Sequence, residues 1–351
     1  MNMKMRHTSI WISAVFLLSM LFLCSCRKNE VMYTGETTTV TLNIGTQGDI
    51  SVSTKAEDSN VMPYEGIRTL RVIIVSPEND PAGRRILYNE KHILAEAPPT
   101  EALLKTSVTL KNVPVGPASI YVIANEESII EGEGYTNAVL ESPEYIKNDK
   151  LLVLDEEWQF FPKRYDDIAE HGLPMSGRLE NTTIQANAAL PMELVRAVVK
   201  IHLTVENATR DDLTLKWVRF GTFISDRVFM FREEGVSLDI PENTQYTGRQ
   251  YGSDDEPMGV TLAANAETDW NPIYILPNWA FKDQSGPNPY TLALATDRKY
   301  YEASQFAANL NAMVRNTQFN ITARITASAN IDITYEQVSW TEVSIEIPDF
   351  D

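Results

Sequence analysis

The amino-acid sequence predicts an all-β chain built as two antiparallel β-sandwich domains in tandem. Three observations predict it. Short runs rich in Val, Ile, Thr and Tyr alternate apolar and polar positions along the chain, and turn residues bound most of them. The 351 residues are enough for about two domains of common size. Apolar residues make up 43% and charged residues 22%, a balance that fills a core without disulfide or metal staples.

The first element is an address. Lys4 and Arg6 form a basic start, and Ile10 to Leu23 is an apolar stretch too short for a comfortable transmembrane helix. Leu23-Cys24-Ser25-Cys26 closes it with a branched apolar residue, two small residues and a cysteine. That quartet resembles a bacterial lipobox, which implies cleavage before Cys26, acylation of Cys26 and an outer-membrane lipoprotein. An ordinary signal peptide holding two cysteines is the other reading. Acyl chains contribute about 0.8 kcal/mol per buried methylene, so several of them anchor a protein firmly. Removing residues 1–25 takes away Lys4 and Arg6 and no acid, so the mature chain is more acidic than the formal −18 of the whole.

Strands come next. TTTVTLNI (37–44), LRVIIVS (70–76), SVTLKNV (107–113) and ASIYVIAN (118–125) each show period two. Residues 126–172 are less regular and carry Pro143 and Pro162. LVRAVVKIHLTV (194–205) has the start of an amphipathic helix, but its β-branched tail favours a strand. The domain boundary is placed near residue 192, which gives an N-terminal domain over 26–192 and a C-terminal one over 193–351. LTLKWVRFGTF (213–223), NPIYILPN (271–278), YTLALAT (290–296) and TQFNITARI (317–325) are strands of the second half. YEASQFAANLNAMVR (301–315) is expected to hold a short helix. The chain closes on VSWTEVSIEIPDFD (338–351), where Val343, Ile345 and Ile347 share one face.

Composition also excludes functions. A formal charge of −18 repels phosphates and argues against nucleic acid. Cys24 and Cys26 are the only cysteines, which leaves no disulfide or thiolate metal site for the folded part. His7, His92, His171 and His202 lack ligand spacing, so no metal or other cofactor is expected. No GxSxG, HExxH or Walker loop occurs, and Glu156-Glu157 and Asp254-Asp255 read as solvated loop acids. The chain is therefore expected not to be an enzyme. Trp158, Trp217, Trp270, Trp279 and Trp340 lie in or beside strands, where core packing is the first reading and a sugar platform the second.

Two strands look alike. Val40-Thr41-Leu42-Asn43-Ile44 and Val343-Ser344-Ile345-Glu346-Ile347 both put three apolar side chains on one face. Either fits one groove whose pockets read alternate side chains. Between the first strand and the next lies TQGDISVSTKAEDSNVMPYEG (46–66), polar from Ser53 onward. Lys55 there offers a site to a trypsin-like protease, and Arg68 is the next candidate, at the start of a predicted strand. A cut at Lys55 separates Val40, Leu42 and Ile44 from the rest of the domain.

With these pieces the chain resembles the fimbrillins, the pilin subunits of Bacteroidales fimbriae. The resemblance runs through the Cys26 lipobox, VTLNI, STKAE, GIRTLRVIIV (66–75), VPVGPASIYVIAN (113–125), PMSG (174–177) before LVRAVVKIHLTV, TQFNITARI and VSWTEVSIEI. It implies transthyretin-like sandwiches, export as a lipoprotein, and removal of the lipidated first strand by an arginine-specific protease. It implies further that a terminal strand of the next subunit, here Val338, Trp340, Val343, Ile345 and Ile347, fills the groove. Copies of itself and other fimbrial subunits are the implied partners, with the outer membrane, the protease and a host or bacterial surface receptor. Lys55 departs from the family's arginine. That departure leaves two roles open, a polymerising subunit and an uncut, lipid-anchored anchor subunit. A surface glycan-binding lipoprotein that uses Trp270 or Trp279 is the alternative from another class.

Overall fold

The computed structural model describes residues 35–46, 61–77, 80, 85–95, 101–128, 157–158, 170–231, 240–241, 243–270, 272–306, 309–327 and 331–339. Strands of the first half are β1 (Thr37–Thr46), β2 (Thr69–Val75), β3 (Ile86–Ile93), β4 (Lys105–Pro114), β5 (Gly116–Ala124), the two-residue β6 (Glu157–Trp158), β7 (Met175–Ile184) and β8 (Ala189–Arg196). The second half adds β9 (Val199–Asn207), β10 (Leu213–Ser225), the two-residue β11 (Val228–Phe229), β12 (Tyr246–Tyr251), β13 (Val260–Leu262), β14 (Ala266–Asp269) and β15 (Ile273–Ile275). It closes with β16 (Thr291–Thr296), β17 (Tyr300–Gln305), β18 (Thr317–Ile325) and β19 (Ile331–Ser339). The molecule is all-β, as the alternation requires.

In the first half seven strands run in the order β3-β2-β5-β7-β8-β1-β4. The ladder between β7 and β8 is only two residues long, Met175 with Arg196 and Ser176 with Val195, and there the sheet folds over. Gly177 makes the close approach possible. A Cβ at that position would lie 2.1 Å from the Glu193 carbonyl oxygen, so no larger residue fits. The inward faces of the two leaves share one core, in which Val40, Leu42 and Ile44 meet Leu70, Val72, Ile74 and Val122.

The second half has two sheets, β12-β10-β16-β17 with β13 beside β10, and β14-β9-β18-β19 with β15 beside β9. Their inner faces form a separate core around Phe220, Phe223, Tyr290 and Phe319. The cores first change over at Val198 and Val199, and Val228, Met230, Phe231, Tyr274 and Leu276 return to the first core. Residue 192, the boundary expected from sequence, falls inside β8, which belongs wholly to the first core. Sequence could not place this change, because the apolar run 194–205 continues across it.

Two other expectations need correction. No helix occurs among the described residues of 301–315; Tyr300–Gln305 is the edge strand β17, paired with β16. The run 194–205 is two strands, interrupted at Ala197 and Val198. Most neighbouring strands are antiparallel, but β1 with β8 and β9 with β18 are parallel.

One buried side chain fixes how the chain enters β2. Asn125 is in the left-handed region, φ 56°, and wholly buried. Its Oδ1 accepts from the Arg68 and Thr69 amides at 2.8 and 3.2 Å. Its Nδ2 donates to the Gly66 and Leu173 carbonyls at 3.0 and 2.6 Å. Replacing Asn125 with Ala strands these groups in the interior and keeps the strained backbone. We expect a loss of about 3–5 kcal/mol in urea unfolding, since each orphaned buried group costs ~1–3 kcal/mol.

Candidate functional site

The sequence points to the first strand, and the structure places it in the middle of a sheet. β1 lies between β8, which it meets in parallel, and β4, which it meets antiparallel. Thr41 to Thr46 stand opposite Ala189 to Leu194 on one side. On the other, Val40 faces Leu110, Leu42 faces Val108 and Gly45 faces Lys105. A register shift between Thr38 and Val40 marks a bulge at the start of the strand. Val40 and Leu42 are fully buried and Ile44 nearly so, whereas Thr39 and Asn43 are exposed. The three inward side chains contribute about 5–9 kcal/mol by burial, at ~1.5–3 kcal/mol each.

The neighbours depend on this strand unequally. Among the described residues β4 has no ladder partner except β1. For β8 the ladder to β7 is two residues long, so its Ala189–Leu194 stretch pairs with β1 alone. Strands sit ~4.8 Å apart, so β1 fills a slot ~10 Å wide between β8 and β4. The walls are main-chain donors and acceptors. The floor is Val108, Leu110, Met192 and Leu194, all buried in the same core. Such a site binds an extended segment with apolar residues at alternate positions.

The chain is firmly held where it re-enters the fold beyond β1. Residues 61–66 rejoin the described structure, with a 3-10 turn at Pro63–Glu65. Glu65 is fully buried. Its Oε2 accepts from the Met62 amide at 3.0 Å. Its Oε1 accepts from the Tyr274 hydroxyl at 2.6 Å and pairs with Lys200 Nζ at 2.8 Å. Lys200 is in β9 and Tyr274 in β15, both of the second half. Burial lowers the pKa of the Lys200 ammonium below its usual value; the Glu65 carboxylate opposes this and the Arg196 guanidinium adds to it. The joint has a second tie. Arg196, almost fully buried, donates to Asn316 Oδ1 at 3.0 Å, and the Asn316 amide donates to the Val198 carbonyl at 2.9 Å.

The other sequence-predicted positions are scattered. Cys26, Lys55, Trp340, Val343, Ile345 and Ile347 lie outside the described residues. Arg68 is buried just ahead of β2, where its amide is bound by Asn125, so a protease meets no free backbone there. Val338 sits in β19, opposite Gln318 of the same chain's β18. Trp270 packs edge-on to Tyr251 at 5.6 Å against the second core, and Trp217 is buried under Tyr300 and Arg219. Trp279 lines an open groove. Sequence reasoning missed the Glu65–Lys200–Tyr274 cluster, since no motif marks residues that meet only through tertiary packing.

No family model matches the chain, and no curated protein does. Solved structures do. The tip fimbrial protein Mfa3 from Porphyromonas gingivalis, with a C-terminal truncation, superposes with a TM-score of 0.52 at 13% identity, over 87% of this chain and 100% of that one. A fimbrial assembly protein from Parabacteroides distasonis gives a TM-score of 0.50 at 13% identity, over 89% of this chain and 99% of that one. The likeness establishes a shared fold across nearly the whole chain.

The buried pair gives a double-mutant test. Lys200→Met leaves the Glu65 carboxylate buried without its cation and should cost about 3–5 kcal/mol. Adding Glu65→Gln removes that charge and should recover most of the loss. Urea unfolding of the two single variants and the double variant measures both numbers.

Proposed function

We propose that this protein is a structural subunit of a cell-surface fimbria, assembled by exchange of the strand in the β1 slot. One observation carries the reading. Among the described residues β1 is the only ladder partner of β4 and the main partner of β8, yet it joins the remainder of the sheet only through residues 47–60. A single cut at Lys55 therefore leaves β1 held by pairing alone. The fold shared with fimbrial proteins supports the reading, as does the lipobox at Cys26.

On this reading the chain is exported as an outer-membrane lipoprotein and acylated at Cys26. A trypsin-like protease cuts after Lys55. The lipidated segment with Val40, Leu42 and Ile44 leaves, and a segment of the next copy or another fimbrial subunit enters. VSIEI matches the slot by side-chain alternation, with Val343, Ile345 and Ile347 replacing the three inward residues. Because Val338 is paired at home, the donor begins after Ser339. The twelve residues 340–351 reach ~40 Å when extended, at ~3.3 Å each, which exceeds the ten-residue length of β1. The role is one of assembly and adhesion rather than catalysis, with a surface receptor as a further partner.

The first test is the intact mass and N-terminal residue of the protein taken from native fimbriae and outer membrane. A start at Ala56 is expected. Acylated Cys26 in mature fimbriae would overturn the polymerising role and favour the uncut anchor subunit. A second test deletes residues 340–351, which leaves β19 intact. The monomer should unfold at an unchanged urea concentration while filaments are lost; normal filaments from that deletion would sink donor-strand exchange.

A further inference from the structure

A second site lies on the second half, away from the β1 slot. The segment after β15 turns tightly, with the Lys282 amide bonded to the Trp279 carbonyl and the Gln284 amide to the Phe281 carbonyl, each at 3.2 Å. Its base is rigid. Asn278 exchanges two backbone hydrogen bonds with Met313 at 2.9 Å each, and the buried Tyr290 hydroxyl donates to Asn278 Oδ1 at 2.8 Å. The turn and the approach to β12 enclose an open groove of about 340 Å³. That is within the ~300–1,000 Å³ of small-molecule sites.

Its lining combines two kinds of group. Trp279, Tyr246 and Phe281 supply aromatic surface. Asp283, Gln284 and Ser285 supply polar side chains that are exposed and make no hydrogen bond with other residues of the described fold. Gln284 is in the left-handed region, φ 48°, which a glycine would occupy more easily, so its side chain is carried there at a conformational cost. Trp279 adds an indole N–H that is shielded from solvent and has no acceptor among the described residues. Being shielded, that N–H is not offered to the open groove; what Trp279 contributes to the lining is its ring.

We propose that this groove is a saccharide-binding site for one or two neutral sugar rings. An apolar ligand would need an enclosed apolar lining, and this groove is open and rimmed by polar groups. A strongly charged ligand would need one sign of charge, and Lys282 and Asp283 offset each other. A sugar ring presents an apolar C–H face to an indole and its hydroxyls to carboxylate and amide groups at the rim. Lys282 now lies 4.6 Å from the centre of the Trp279 ring. Being exposed, it can swing off that face when a ring stacks there. The site names a chemistry for the surface receptor of the adhesive role, and rests on that role only for its purpose.

Saturation-transfer NMR and tryptophan fluorescence test it, on the soluble chain from residue 27 onward. The probes are glucose, galactose, mannose, N-acetylglucosamine, N-acetylgalactosamine and their β-linked disaccharides at millimolar concentration. At least one should bind saturably. Asp283→Ala and Gln284→Ala, both on the exposed turn, should each weaken it by roughly tenfold, and Trp279→Ala should abolish it. Filaments should still form from Asp283→Ala, which separates this site from the assembly slot. Binding by none of the probes, or binding unchanged in Asp283→Ala and Trp279→Ala, would overturn the proposal and leave the assembly role standing.

Discussion

One leaf of the first half turns on the backbone pairing of β1 with β4 and with β8. A strand inside a sheet cannot leave without orphaning a row of amides and carbonyls on each neighbour, and buried main-chain groups without partners are costly. β1 supplies both rows at once, with its apolar face completing the core. The slot is therefore never stable empty. It must hold β1 or another segment with the same alternation. That constraint makes simple loss of the strand costly.

The second half shows the same arrangement with its central strand tied by more than pairing. β9 lies between the parallel β18 and the antiparallel β14 and β15, just as β1 lies between the parallel β8 and the antiparallel β4. But β9 follows β8 after only Ala197 and Val198, which are buried in the joint, and its Lys200 is paired to Glu65. Cutting the chain on one side of β9 would leave it tied on the other by a buried ion pair. β1 holds no charged side chain to make such a pair, and its outer side chains are Thr39, Thr41 and Asn43. The two strands differ in these ties, since their pairing is alike.

Sequence alternation reveals the faces of strands but not their neighbours. VTLNI discloses the inward side of β1, because period two is a property of a single strand. That β1 stands between β4 and β8 could not be read, since pairing joins residues far apart in the chain. Two of the edge strands are the hardest to see. β3, with Asn89, Glu90 and Lys91, and β17, with Glu302 and Gln305, carry the polar residues that protect open edges, and so lack the apolar signature. The polar run of β17 even resembles a helix when read by itself. The groove beside Trp279 is half legible. The tryptophan stands out, but the polar side chains that meet it come together only through the turn.

The joint between the halves decides what an exchange of β1 can disturb. Glu65 lies beyond the link from β1 and is held by Met62, Tyr274 and Lys200, while Arg196 and Asn316 close the joint from the end of β8. None of these contacts uses β1. A buried ion pair adds little net stability, but separating its partners is expensive, so it resists relative motion of the elements that carry it. Replacing β1 therefore perturbs β4 and β8 while the joint keeps the second half fixed relative to residues 61–68.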